Sequence, residues 1–255
     1  RRSSDLIWNL IEYFKDKESR TVGLFFSVNS IFFGSWITRL PDIQDSLGIG
    51  EGELGLALLG VPLGSVSVMP FISYFIQKYG AGRVTVFISL IFSIVSTLPV
   101  FAPSHLGLFV ILTMVGVITG SMDIAMNAAA AIVEEQKGRP IMSTCHGLWS
   151  LGGMVGAAST SVLAGFSIPG KAQMPVLAVL LFILSALLST TMIKVRETTV
   201  EKTRIFVLPR GILMGLALIA FCVMLGESAI MDWSTIYLRK SLNTEVILAG
   251  MGFAG

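Results

Sequence analysis

Long apolar stretches, each about 20 residues and closed by short polar or proline-bearing segments, recur along the chain. An α-helix rises about 1.5 Å per residue, so roughly 20 apolar residues match the ~30 Å hydrocarbon core of a bilayer. The pattern predicts seven spans, at 21–40, 53–76, 84–102, 107–133, 141–166, 174–193 and 211–237, and the start of an eighth near 246. Pro41, Pro103, Pro140, Pro169 and Pro209 fall at or beside these boundaries, where a residue lacking an N–H interrupts no helical ladder. Ahead of the first span, 5–20 places Leu6, Ile7, Leu10, Ile11 and Phe14 on one helical face and charges on the other. That pattern fits a helix lying on a membrane surface, and equally a plain solvated lead-in.

Composition agrees with the pattern. Hydrophobic residues make up 53% of the chain and charged residues only 13%, with a mean hydropathy of +0.79. Soluble domains carry roughly 25% charge, so the fold class is all-α and polytopic. The net charge of +2 is spread over short loops and forms no basic stripe for nucleic acid. Cys145 and Cys222 both lie in apolar segments, which gives neither a disulfide framework nor a metal site. SLGIGEG (46–52) is glycine-rich but lacks the Lys-Ser/Thr of a phosphate loop, and His105 and His146 are far apart. Nothing in the sequence provides a nucleophile, metal or cofactor constellation, so neither an enzyme nor a cofactor is expected. The chain begins at Arg1 with no cleavable leader and ends at Gly255 inside an apolar run, and so reads as a fragment.

Lysine and arginine set the expected orientation. With the N-terminus inside, 14 of the 18 fall on the inner side, and only Arg39, Lys171, Arg239 and Lys240 on the outer. This positive-inside bias makes the N-terminus cytoplasmic. The charged stretch 194–210, KVRETTVEKTRIFVLPR, then divides two bundles as a cytoplasmic linker. The expected organisation is an interfacial segment at 1–20, a six-helix bundle at 21–193, the linker, and at 211–255 the start of a second bundle. A weak internal repeat supports the division. Aligning Ser46-Leu47 with Ser241-Leu242 brings Gly55 onto Gly250 and Gly60 onto Gly255, and Trp36 meets Trp233 with a two-residue gap. Transporter halves repeat in this way.

Polar groups inside spans are costly and usually face a bundle interior or a water-filled cavity. In 106–133 the only ionisable residue is Asp123, and Gly116, Gly120, Asp123 and Asn127 follow at spacings 4, 3 and 4, on one helical face. The glycines admit a neighbouring helix or a ligand; the carboxylate and amide form a pair that titrates protons or binds hydroxyls, or else a structural contact. Glu227, in GESAIMDW (226–233), stands about 25 Å along the seventh span from Arg210 and is a second candidate for solute binding and proton coupling. Asp232 lies further out, as a rim or gate residue pairing with Arg239. Asn29 in the first span suits a solute hydroxyl or an interhelical bond, and Trp36 suits ring stacking or an interfacial belt. In STCHGLWSLGG (143–153), His146, Trp149 or Ser150, and Gly153 line one face, with His146 a candidate gate or relay and Trp149 a candidate solute contact.

Six spans, a charged linker and a restart resemble the major facilitator superfamily. SYFIQKYGAGR (73–83) is similar to that superfamily's signature after the second span, Gly-x-x-x-Asp-Arg-x-Gly-x-Arg, with Ser73, Gln77 and Lys78 replacing the first Gly, the Asp and the Arg. DIAMNAAAAIVEEQKGRPIMSTCHGLWSLGG (123–153) and GESAIMDWSTIYL (226–238) resemble the fucose-permease-like branch, whose members include bacterial inner-membrane proteins. The resemblance implies a monomeric sugar–proton symporter of the inner membrane, with Asp123 and Asn127 at the positions of that branch's fourth-span acid and Asn. Its first-span acid has no counterpart, the nearest polar residue being Asn29, which either moves coupling toward Glu227 or removes it. Efflux of amphipathic compounds, or a non-transporting remnant or sensor, are the alternatives.

Overall fold

A computed structural model of the chain describes residues 11–195 and 210–250. The described residues are helical almost throughout: α1 Lys17–Thr38, α2 Leu40–Leu47, α3 Glu51–Leu58, α4 Gly60–Tyr79, α5 Ala81–Val95, α6 His105–Lys137, α7 Met142–Gly165, α8 Gly170–Met192, α9 Ile212–Ile236 and α10 Val246–Gly250. Six helical segments are long and apolar enough to cross a membrane. The predicted fifth span is the exception. It forms the 24-residue helix α7, but MSTCHGLWSLGGMVGAASTSVLAG carries too many small polar residues to pass that measure. Two other spans are subdivided. The first ends at Thr38 and continues past Arg39 as α2, with Pro41 in its first turn; the second breaks at Leu59 into α3 and α4. Most of the interfacial segment and of the linker lies outside the described residues.

Two helix pairs form the frame, and small residues set both. Between α1 and α7, a Cβ on Gly34 would collide with the Gly153 carbonyl, one on Gly152 with the Ser30 hydroxyl, and one on Gly156 with the Ile31 carbonyl. Ser27 and Ser35 donate across this seam to the Leu148 carbonyl (3.1 Å) and the Gly156 carbonyl (3.2 Å). Between α4 and α6, Gly60, Gly64, Gly116 and Gly120 play the same part, and the Ser65 hydroxyl donates to the Gly116 carbonyl at 2.9 Å. In hydrocarbon no hydrophobic force drives helices together, so close backbone approach and buried hydroxyl bonds supply the association.

The bundle has two ends. The near end carries the turns at Gly80 and Gly138, both at positive φ. There Lys137 pairs with Asp16 (3.0 Å) and Glu18 (2.7 Å), and Glu134 accepts the backbone N–H groups of Ile141 and Met142 at 2.8 and 2.9 Å. Burial pushes the Asp16 carboxyl up, but the Ser19 backbone and hydroxyl bonds and Lys137 outweigh it and hold Asp16 below the ordinary carboxylate range. Its stabilising contribution is therefore complete above that range and fades as pH falls through the lowered value. The far end carries α2, α3 and the turns at 98–104 and 166–169.

Against this bundle α9 leans only at its far end. Thr235 and Ile236 are buried, whereas 211–230 is exposed throughout. The gap between α9 and the bundle is thus closed at the far end and open toward the near end.

Candidate functional site

Asp123 is exposed on that open side, past the point where the same stripe of α6 is consumed in packing. Gly116 and Gly120 meet α4, so the predicted glycine face receives a helix; one turn on, Asp123 emerges from the seam. Asn127 donates to the Asp123 carboxylate (3.0 Å) and to its backbone carbonyl (2.8 Å). His146 on α7 faces the carboxylate closely enough to interact with it electrostatically, and its ring meets Phe26 edge-on at 5.4 Å. One turn along α7, Trp149 donates through its indole N–H to the Asn29 side-chain oxygen at 3.2 Å. Asn29 is buried, and its amide nitrogen has no partner among the described residues. A buried unpaired donor is costly, so this amide is either a poor structural element or a donor awaiting an acceptor.

The aromatic path continues from Trp149 to Phe33 (6.1 Å between ring centroids) and from Phe33 to Trp36 (6.0 Å). Phe33 and Trp36 form one wall of a cavity of about 440 Å³ beneath the closed far end, with Leu58, Ser228, Asp232 and Trp233 around it. Trp36 is buried, so the belt alternative for this residue does not apply. Gly55 lies directly under the Trp233 ring. The repeat-related pair Trp36 and Trp233 therefore share one cavity.

Seven of the eight predicted site residues fall along this line of contacts: Asn29, Trp36, Asp123, Asn127, His146, Trp149 and Asp232. Glu227 does not line the cavity; it stands exposed on α9, while Asp232, further out along the same helix, does line it. The expected Asp232–Arg239 pairing is replaced by another. Arg239 pairs with Asp42 on α2 at 2.6 Å, and Lys240 pairs with Asp45 at 2.8 Å. Asp42 also holds Arg39 at 2.8 Å, whose buried guanidinium donates to Gln173 (2.9 Å) and to the Ile168 carbonyl (2.8 Å). Arg39, at the outer end of the predicted first span, is thus a buried organiser of the far end. One pair of this network joins equivalent positions of the repeat: in the Ser46/Ser241 register, Asp45 is the counterpart of Lys240.

The geometry gives a bundle of apolar helices with a polar line on its open side, and comparison with known proteins identifies the family. The family model of the Major Facilitator Superfamily matches residues 22–255. The chain belongs to this superfamily, a family of multi-pass membrane transporters. An uncharacterized transporter of Sinorhizobium fredii is 31% identical over 240 residues, covering 92% of this chain and 63% of that protein. An uncharacterized MFS-type transporter of Yersinia pestis is 29% identical over 231 residues, covering 91% and 60%. Membrane protein MosC of Rhizobium meliloti is 25% identical over 215 residues, covering 84% and 52%. The chain thus spans between 52% and 63% of the length of these relatives. Among solved structures, the nucleoside transporter NupG shares the fold with a TM-score of 0.54 at 16% identity, over 91% of this chain and 56% of its own. As a member of the Major Facilitator Superfamily, the chain holds a first bundle and the opening helices of a second.

Proposed function

We propose that this chain forms part of a secondary transporter of the inner membrane, in the fucose-permease-like branch. It moves a small polar solute, a sugar or sugar derivative, together with a proton. The observation that carries the reading is the Asp123–Asn127 pair, exposed on the open side of the bundle with His146 facing it. Among the described residues this carboxylate has no lysine or arginine partner, and intramembrane ionisable groups of that kind mark solute or proton paths. Asp123 takes the proton, Asn127 and the free Asn29 amide bind hydroxyls, and Trp149, Phe33 and Trp36 offer ring faces to the solute's apolar side. Glu227 stands as a second acid on the facing bundle, and Asp232 as the gate carboxylate. The proposed carrier has no enzymatic step and works as a monomer with its N-terminus in the cytoplasm.

The test is uptake into proteoliposomes containing the whole protein, under an imposed pH gradient. Hexoses, deoxyhexoses and nucleosides are offered first; nucleosides are sugar derivatives, and the fold neighbour NupG is a nucleoside transporter. Accumulation of at least one sugar class that collapses with the gradient is expected. Efflux of an amphipathic cation is the second reading, favoured by the three rings and single carboxylate of the 440 Å³ cavity. Export of such cations without sugar uptake would replace the first reading with it.

Alternating access requires a far-end contact that forms and breaks as two bundles rock about a central site. Asp42–Arg239 and Asp45–Lys240 are placed for this role. Asp45 and Lys240 occupy equivalent positions of the two repeats, so they meet near the repeat axis, where opposite charges turn a self-facing contact into an attractive one. Asp45→Lys is expected to open the far end, raising alkylation of a cysteine placed at Ser228 by a membrane-impermeant reagent about three- to fivefold, the scale of a partly exposed ion pair. The double variant Asp45→Lys/Lys240→Asp restores protection. Equal labelling of single and double variants would remove the pair from the gate.

A further inference from the structure

Further along α4 from the cavity, toward the near end, runs a groove of about 580 Å³, bounded by α4, α5 and α6. Its origin lies in the helices. In their outer halves α4 and α6 are locked backbone to backbone at Gly60, Gly64 and Gly120. Beyond Ser65 the α4 helix passes through Pro70, an internal proline that removes a ladder bond and relaxes the helix. From there Ile72, Phe75 and Tyr79 follow the groove at spacings 3 and 4, opposite Phe87 on α5 and Val117 on α6. The walls are almost wholly apolar, and Phe75, Tyr79 and Phe87 are exposed.

The groove ends in charge. Arg83, in the first turn of α5, lines its near end and is exposed, without an acidic partner among the described residues. Lys78 adds a second cation there, with its ammonium over the Tyr79 and Tyr74 rings at 5.3 and 5.7 Å. Two tyrosines and two cations at a helix turn mark headgroup depth, where aromatic rings and snorkelling bases gather.

We infer that this groove is a binding site for an anionic phospholipid. One acyl chain lies between Phe75, Phe87 and Val117, and the phosphate meets Arg83 with Lys78 beside it. A further apolar helix of the protein in the groove would fill its walls but leave the Arg83 guanidinium without an anion. A phospholipid matches both halves of the site, chain to apolar wall and phosphate to planar guanidinium. The volume lies inside the ~300–1,000 Å³ range of built small-molecule sites. This site is independent of the solute path and of whatever solute is carried.

The experiment is native mass spectrometry of the whole protein titrated with dioleoylphosphatidylglycerol, dioleoylphosphatidylcholine and inorganic phosphate. Phosphatidylglycerol is expected to bind about fivefold more tightly than phosphatidylcholine, the scale of one basic side chain at a lipid surface. Arg83→Gln removes most of that preference and Arg83→Lys retains it. Val117→Phe, which fills the groove and leaves both cations in place, weakens both lipids alike. Equal affinity for the two lipids in the unaltered protein, or a preference unchanged in Arg83→Gln/Lys78→Gln, overturns the inference. So does displacement of phosphatidylglycerol by inorganic phosphate, or a Val117→Phe variant that binds both lipids normally.

Discussion

Gly34→Leu is expected to leave almost no folded protein in the membrane. A Cβ at position 34 would already collide with the Gly153 carbonyl and lie 3.1 Å from the Ala157 nitrogen, so the obstacle is backbone on both sides. Flexible side chains can turn away from an intruder; helix backbone cannot. Relief therefore requires α1 and α7 to separate along their length. Separation would also break the Ser27–Leu148 and Ser35–Gly156 hydrogen bonds and pull Trp149 from Asn29. Overpacking a dense core costs about 1–3 kcal/mol and occasionally more; with backbone on both sides the cost lies at or beyond the upper end. Thermal unfolding of purified protein provides the measurement, with Gly147→Leu as the control, because nothing lies within 4 Å of a Cβ there. A melting temperature for Gly34→Leu as high as that of Gly147→Leu would mean that the glycine seam does not hold the bundle.

The architecture was legible in the sequence because hydrophobic length is imposed by the bilayer rather than by any one neighbour. What escaped the pattern were features set by partners distant in sequence. The break at Leu59, by contrast, is local, because Pro62 lacks the N–H that would bond the Leu58 carbonyl. For the site, helical spacing brought Asp123 and Asn127 onto one face, and the structure adds His146 opposite them. Spacing could not separate Glu227 from Asp232, because the side facing the cavity depends on how α9 leans on α1 and α2. It also assigned Arg239 to the wrong acid: Asp42 and Asp232 are both near the far end, and only the turn after α9 chooses between them. Asp45 and Lys240 are equivalent positions in the repeat register, but equivalence in sequence does not by itself say that two positions touch.

Asp123→Asn is expected to abolish concentrative transport while leaving the protein folded. The amide keeps the shape of the carboxylate and can still bond Asn127, but it takes up no proton at any physiological pH. Coupling between two bound ligands is typically worth 1–3 kcal/mol, so its loss lowers gradient-driven accumulation by up to about 100-fold. Movement of solute down its own gradient is expected to continue, since the Asn29 and Asn127 amides proposed to bind hydroxyls and the ring faces remain. The decisive measurement is thus made twice on the same proteoliposomes: accumulation of the solute under a pH gradient, and its exchange at equal pH. Asp123→Asn is predicted to lose the first and keep the second. Undiminished accumulation by Asp123→Asn would refute the assignment, because the proton path would then bypass Asp123.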